Sequence, residues 1–304
     1  MNANILIVFI STFVVAILVV SVAGYMYEPH DMRPIPPEEV IDYNDTNLKV
    51  HFIDAGLGNA VLISIQNKNM LIDAGENRLG TNIIPYLYMN DITKLDYMIA
   101  TNQEKEHIGG MIGILSKLLV EQYMDNGNSD TTESYETLMH MLEVTNTNTT
   151  VIKKGDIIDF HPDVVVEILN PDDLTGDIAR DSVIIKMTYN EISFLFMGNA
   201  DFETEKELLD SGYDLDVDFL KVGQYGSKNA CCKPFLDAVN SRYSIIQEGP
   251  HEEYISPHPH TLDRLRQTNS VILRNDFHGH IVITADGKNY DIFTQNVFDH
   301  RLFN

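Results

Sequence analysis

The chain of 304 residues has no tryptophan and only two cysteines, Cys231 and Cys232, which are adjacent. Neighbouring cysteines lie too close for a relaxed disulfide, so no covalent framework holds the fold. Two adjacent thiols without a second pair also make a poor zinc site. Positive charge is scarce as well. Lys and Arg number 21 against 45 acidic residues, a formal charge of -24. Such a balance repels phosphate backbones within the reach of ionic screening and disfavours bulk, non-specific nucleic-acid binding, leaving room only for a local basic groove. No long stretch after residue 24 is free of charge, and the length and composition suit one large folded unit.

One long apolar run is present, from Ile5 to Gly24, without a charged residue and long enough to cross a bilayer as a helix. We read it as a membrane anchor over residues 1–24. The competing reading is a cleaved signal peptide, suggested by the small residues Ser21-Val22-Ala23. Against that stand the length of the run and the absence of Lys or Arg before it. Arg33 is the lone basic residue of a downstream flank that holds Glu28, Asp31, Glu38 and Glu39, which places the large domain outside the cytoplasm. Residues 25–47 carry Pro29, Pro34, Pro36 and Pro37 among acids and read as an extended linker. The folded domain is expected over 48–304.

Within that domain, Lys49–Asp54, Ala60–Ile65 and Asn69–Asp73 read as three strands of an antiparallel meander. A helix is expected over Thr81–Asn90, a strand over Leu95–Ala100 and a second helix over Ile108–Met124. Residues 125–148 are rich in Asn, Thr, Ser and Asp and read as a surface insertion with one short helix around Leu138, Met139 and Leu142. The second half repeats the scheme. Strands are expected near Val164–Leu169, Ser182–Tyr189, Ile192–Met197, Val217–Val222, Tyr243–Gln247, Val271–Arg274, His280–Thr284 and Tyr290–Phe293. Helices are expected over Asp201–Leu209, Pro234–Val239 and Thr261–Gln267. Two sheet-plus-helix halves imply sheets packed face to face with helices outside.

Chemistry concentrates in Ile99-Ala-Thr-Asn-Gln-Glu-Lys-Glu-His-Ile-Gly-Gly-Met111, where a strand ends, polar side chains gather and a helix begins. Together with Phe52-Ile-Asp-Ala-Gly-Leu-Gly-Asn-Ala60, Met70-Leu-Ile-Asp-Ala-Gly75, Phe194-Leu-Phe-Met-Gly-Asn-Ala200, Leu220-Lys-Val-Gly-Gln-Tyr-Gly-Ser-Lys228 and Ser256-Pro-His-Pro-His260, it resembles the metallo-β-lactamase-fold domain of ComEC-type competence proteins. The resemblance runs from Leu48 to Phe293 and implies an αββα sandwich with a metal site on loops at one sheet edge. It also implies a structural role for Asp73 and a close backbone approach at Gly109 and Gly110.

The ligand positions depart from the family pattern. Its T-H-x-D-x-D-H-x-G-G loop has Asn102 for the first His and Glu104 and Glu106 for the two Asp, and keeps only His107. Asn199 stands for the bridging Asp, Gln224 and Tyr225 for two His, and Ser256 for another, while His258 is kept. Zinc wants anionic or imidazole donors at about 2.0–2.3 Å. Amide oxygens suit harder ions, and a Glu in place of Asp moves its carboxylate by ~1.5 Å. By the resemblance, the position built from Asn102, Glu104, Gln224 and Tyr225 is lost, and one metal half-site survives at Glu106, His107 and His258. The expectation is therefore a membrane-tethered pseudoenzyme that binds or scaffolds a protein or small molecule without a cofactor. The alternative is a hydrolase using one zinc or manganese ion, acting on a phosphodiester with Glu104 or Asp201 as base. His107 also has a bland reading, as a helix-capping residue or as one that hydrogen-bonds across the loop, and Glu104 and Glu106 as acids favoured near a helix start.

Overall fold

The computed structural model describes residues 46–76, 80–248 and 256–296. The expected anchor over 1–24 and nearly all of the linker lie outside them. Among the described residues no helix is long and apolar enough to cross a membrane.

Strands β1 (Leu48–Phe52), β2 (Val61–Ile65) and β3 (Lys68–Ile72) form the expected antiparallel meander. After α1 (Ile83–Met89), β4 (Lys94–Ile99) lies parallel to β3. Then α2 (Lys105–Leu115), β5 (Leu119–Asp125), α3 (Glu133–Val144) and β6 (Asn148–Val151) extend the sheet by parallel pairing. The second sheet begins the same way, with an antiparallel series β7 (Ile157–His161), β8 (Val164–Asn170), β9 (Ile184–Tyr189) and β10 (Ile192–Phe196). It too grows by parallel strands, through α4 (Phe202–Asp210), β11 (Phe219–Lys221), α5 (Lys233–Val239), β12 (Tyr243–Ile246), α6 (Pro259–Arg266) and β13 (Val271–Arg274). A short α7 (Asn275–His278) precedes β14 (Ile281–Ala285) and β15 (Tyr290–Thr294), which return to the first sheet beside β1. The spatial orders are β15-β14-β1-β2-β3-β4-β5-β6 and β13-β12-β11-β10-β9-β8-β7.

Period-two alternation divides each strand between two cores. In β2, Val61, Ile63 and Ile65 face the other sheet, while Leu62 faces the helices. The inter-sheet core stacks Phe194 on Phe219 with ring centroids 4.8 Å apart. On the outer faces, Leu62, Leu71 and Leu95 pack with α1–α3, and Leu195, Leu220 and Phe235 with α4–α6. Burial of each such side chain is worth about 1.5–3 kcal/mol. The result is the expected mixed sandwich, with helices on both outer faces.

Two expectations are corrected. The helix read over 108–124 stops at Leu115, and Leu119–Asp125 is β5. Leu118, Val120 and Tyr123 prolong the apolar spacing of the helix, but pairing of this segment with β4 prevails over local pattern. The polar stretch 125–148 is not a surface insertion. Its helix α3 buries Leu138 and Leu142 against the α2 layer and delivers β6 to the sheet.

β1 also carries a buried histidine on its helix-facing side. The His51 Nδ1 lies 2.8 Å from the Tyr86 hydroxyl of α1, and burial pushes the His51 pKa down to about 3, with Lys49 and His280 adding to it. The native imidazole therefore stays neutral while the unfolded one protonates near pH 6.5. Stability is complete above about pH 6.5 and falls by about 1.4 kcal/mol per unit as pH drops toward the folded pKa. His51→Asn, which keeps an acceptor and removes the titration, is expected to flatten this slope in urea titrations across pH 4–6.5; an unchanged slope refutes the assignment.

Candidate functional site

The chemistry-bearing loops follow the carboxyl ends of β3, β4, β10 and β11, where an open α/β sheet commonly forms its crevice. Asp73 follows β3 in a left-handed conformation with φ 57°, its backbone N–H held 2.8 Å from the Ile99 carbonyl of β4. Its carboxylate accepts from the Thr101 backbone N–H and hydroxyl, each at 2.8 Å, and from His107 Nδ1 at 2.7 Å. A carboxylate on Nδ1 places the ring proton there, which leaves Nε2 as an acceptor. The Tyr225 hydroxyl, 2.8 Å away, donates to that Nε2. Both nitrogens of a fully buried imidazole are thus engaged.

Tyr225 reaches this position from a one-turn 3-10 helix, Gln224–Gly226, that follows β11. Gln224 and Tyr225 both adopt left-handed φ values, 45° and 54°, at a cost of about 1–2 kcal/mol each. Burial holds the Tyr225 phenol well above its usual pKa, and the nearby Asp73, Glu104, Glu106 and Glu248 carboxylates add to the effect. It remains a neutral donor.

Beside this chain lies a second set of contacts. Glu104 caps α2 by backbone conformation only, its side chain making no capping bond. Its carboxylate instead accepts from Asn199 Nδ2, and its backbone N–H donates to Asn102 Oδ1 at 2.8 Å. Burial raises the Glu104 pKa, with Glu106 and Asp130 adding to the rise against lowering by His107 and Asn199. The Asn199 N–H donates to Ser182 Oγ at 2.8 Å, and the Ser227 hydroxyl donates to Gln224 Oε1 at 2.7 Å.

Gly109 and Gly110 seat α2 against the loop after β3. A Cβ at Gly109 would stand 2.1 Å from the Glu76 carbonyl oxygen, and one at Gly110 2.0 Å from that of Ala74.

No family model matches the chain. Among curated proteins it is similar to ComE operon protein 3 of Bacillus subtilis, 25% identical over 77% of this chain and 32% of that protein. It is also similar to competence protein ComA of Neisseria gonorrhoeae, 26% identical over 74% of this chain and 30% of that one. The chain spans about a third of the length of these relatives. Of solved structures, the metallo-β-lactamase fold protein YhfI of Bacillus subtilis aligns with a TM-score of 0.54 over 78% of this chain and 100% of its own, at 10% identity. The domain has the metallo-β-lactamase fold, and in sequence it is similar to part of these competence proteins. Igni18, a metallo hydrolase of Ignicoccus hospitalis, aligns at 0.52 over 84% of this chain and 100% of its own, at 11% identity.

That fold implies a metal site, and the residues present do not fit one. Among the described residues no group of three His, Cys, Asp or Glu side chains is arranged to hold an ion, so Glu106, His107 and His258 do not come together as the expected donor set. His107 has no free nitrogen for a ligand bond. His258 is the N-cap of α6, its Nδ1 accepting from the His260 N–H at 3.2 Å. Asp201, expected as a possible base, is the N-cap of α4, and its Oδ1 accepts from the N–H groups of Glu203 and Thr204. Of the two bland readings of His107, the helix cap does not hold, since the residue lies within the first turn of α2, and the hydrogen bond across the loop does, with the ring turned onto Asp73. Of the substituted positions, Asn102, Glu104 and Asn199 are brought together, as are Gln224 with Ser227 and Tyr225 with His107. Ser256 enters none of these contacts.

Sequence reading assigned no role to Lys221, whose amine is buried at the end of β11 without a hydrogen-bond partner. Burial pushes its pKa down to about 8 against the opposing pull of Asp73. A lysine between Leu220 and Val222 in an otherwise apolar strand was the available signal.

Tyr225→Phe leaves the buried His107 Nε2 unpaired and is expected to lower unfolding stability by about 1–3 kcal/mol. A double-mutant cycle with His107→Ala should give a coupling of at least about 0.5 kcal/mol. Strictly additive losses in chemical denaturation would show that the two residues do not act as a pair.

Proposed function

We propose that this chain is a membrane-tethered member of the ComEC-like metallo-β-lactamase-fold group that works by binding rather than by hydrolysis. The observation that carries the reading is the saturation of His107, its Nδ1 held by Asp73 and its Nε2 by Tyr225. A metal-activated hydrolase needs open imidazole and carboxylate donors around an ion that keeps one position for water. Here the kept histidine is spent on internal hydrogen bonds, Asn102 and Asn199 contribute neutral amides, and both Asp201 and His258 serve as helix caps. The partner is a protein or a small molecule. A polyanion such as bulk nucleic acid is opposed by the formal charge of -24. The apolar run over residues 5–24 supports a single-span tether with the domain on the extracytoplasmic side.

Metal analysis of the purified full-length chain after incubation with zinc or manganese should give well under one equivalent, with no metal-dependent hydrolysis of a chromogenic phosphodiester. Stoichiometric metal that disappears in both His107→Ala and His258→Ala would overturn the proposal in favour of a one-metal hydrolase.

A further inference from the structure

We infer that the free edge of β6 pairs with the same edge of a second copy of this chain, joining two sandwiches about a twofold axis at Thr150. β6 closes the first sheet, with β5 on one side and no strand among the described residues on the other. Free edges are usually blocked by charge, by a bulge or by a cover. The other three edges of the two sheets are guarded in this way. β15 carries Asp291, β13 ends in Arg274, and β7 carries Asp159 and a bulge, its Asp159 carbonyl taken by the Tyr97 hydroxyl at 2.8 Å. β6 has none of these guards. Residues 144–152 hold neither a charged residue nor a proline in a chain of formal charge -24, and all four β6 residues are exposed. Two strongly acidic molecules approach each other most easily through such a neutral strip. It is also apolar at its margins: Val144 and Val151 are each 62% exposed, and Leu119, 61% exposed, lines a groove with Thr145, Asn146 and Asn148.

Backbone geometry sets the register. The Ile152 N–H donates to the Asp125 carbonyl of β5 at 2.8 Å. Along a strand successive backbone groups alternate in direction, so Thr150 and Asn148 also serve β5, while the N–H and C=O of Thr149 and Val151 point away from the sheet. An antiparallel copy that sets Thr149 opposite Val151 of the second copy engages all of these groups in four hydrogen bonds. Shifting the register by two residues in either direction calls on Thr147 or Lys153 instead, and their N–H groups are already held by the Leu142 carbonyl and the Asp156 carboxylate. The favoured register is the one that is symmetric about Thr150, which a second copy supplies and an unrelated strand does not. Thr150 then faces its twin as a non-hydrogen-bonded pair with Cα atoms about 4.5 Å apart, a position where Thr–Thr pairs are favourable. Charge agrees with the pairing. The twofold carries Lys153 and Lys154 of each copy toward the α3 C-terminus of the other, whose last turn lacks a basic residue and includes Glu143. Four residues a side bury less than the about 1,200 Å² of a stable interface, so the dimer is of the weak, concentration-dependent class. The inference is independent of whether the pocket around His107 holds an ion.

Oxidative cross-linking of the purified full-length chain tests the register. Thr150→Cys sets two thiols at the axis within disulfide reach and is expected to give a covalent dimer. Thr149→Cys, with Cα atoms about 8 Å from their twins, should stay as monomeric as the unsubstituted chain, which controls for Cys231 and Cys232. Both positions are exposed, so neither substitution threatens the fold. In sedimentation experiments on the same chain, Thr149→Pro should weaken the dimer by about tenfold. It removes an outward N–H from each copy and leaves the ladder to β5 intact, and two lost hydrogen bonds at about 0.5–1.5 kcal/mol each correspond to that factor. Equal cross-linking of Thr149→Cys and Thr150→Cys, a dimer indifferent to Thr149→Pro, as one made through residues 5–24 would be, or a monomer at every concentration would each overturn the inference.

Discussion

The Asp73–His107–Tyr225 hydrogen-bonded chain is the constraint on which the pocket depends. Its first two members belong to the first sheet and its helices, and the third follows a strand of the second. Asp73 is committed from both sides: its left-handed backbone is pinned to β4, and its carboxylate collects Thr101 and His107. That arrangement in turn requires α2 to sit nearly in contact with the loop after β3, which Gly109 and Gly110 allow because neither carries a Cβ. The two left-handed residues Gln224 and Tyr225 then bring a phenol from the far sheet onto the one imidazole nitrogen still free. A typical hydrogen bond nets only about 1 kcal/mol. The importance of this one lies in its joining parts of the chain 118 residues apart.

The substitutions at the family's ligand positions are mutually consistent. Asn199 bonds Glu104, Glu104 bonds Asn102, Gln224 bonds Ser227 and Tyr225 bonds His107. A pocket that lost its ion through unconnected changes would hold many unpaired polar groups, and each would be costly in a low-dielectric interior. Here the replacements partner one another, and at these positions the unpaired atoms are confined to Asn102 and Asn199. The side chains at these positions are held by hydrogen bonds to one another.

Much of this architecture was legible in the sequence, because short apolar runs bounded by Gly, Asn and other polar turn residues mark strands, and β1–β3 and β8–β10 fall close to those runs. Two segments were not. The apolar spacing of α2 continues through Leu118 into β5, and only the pairing with β4 separates helix from strand. β6 is exposed along its whole length and so carries no burial pattern to read. At the site, ordered motifs drew attention to Asn102, Glu104, Asn199, Gln224 and Tyr225, whose side chains the structure engages in hydrogen bonds. They could not show that Tyr225 meets His107, since that contact depends on a strained turn after β11, and nothing in Gly-Gln-Tyr-Gly announces left-handed backbone at Gln and Tyr. Likewise Asp201 and His258 look like free functional groups in the sequence and prove to be occupied as N-caps by the helices that follow them.

Electrostatics explains why the kernel is stable in this form. In a metal-dependent pocket a divalent ion offsets the buried carboxylates. In this chain the fully buried members are one carboxylate, Asp73, one imidazole, His107, and one ammonium, Lys221, which Asp73 helps to keep protonated against burial. Carboxylate and ammonium offset each other at a distance, and Tyr225 adds a dipole without a charge. A dication bound through His107 Nε2 would first have to displace the Tyr225 hydroxyl. The acidic groups left over, Glu104 and Glu248, lie outside this balance and carry raised pKa values, Glu248 pushed up to about 7 by burial and by Asp276. Raised carboxylate pKa values mark places where added positive charge is favoured, which sets these two acids apart from the balanced kernel of Asp73, His107 and Lys221.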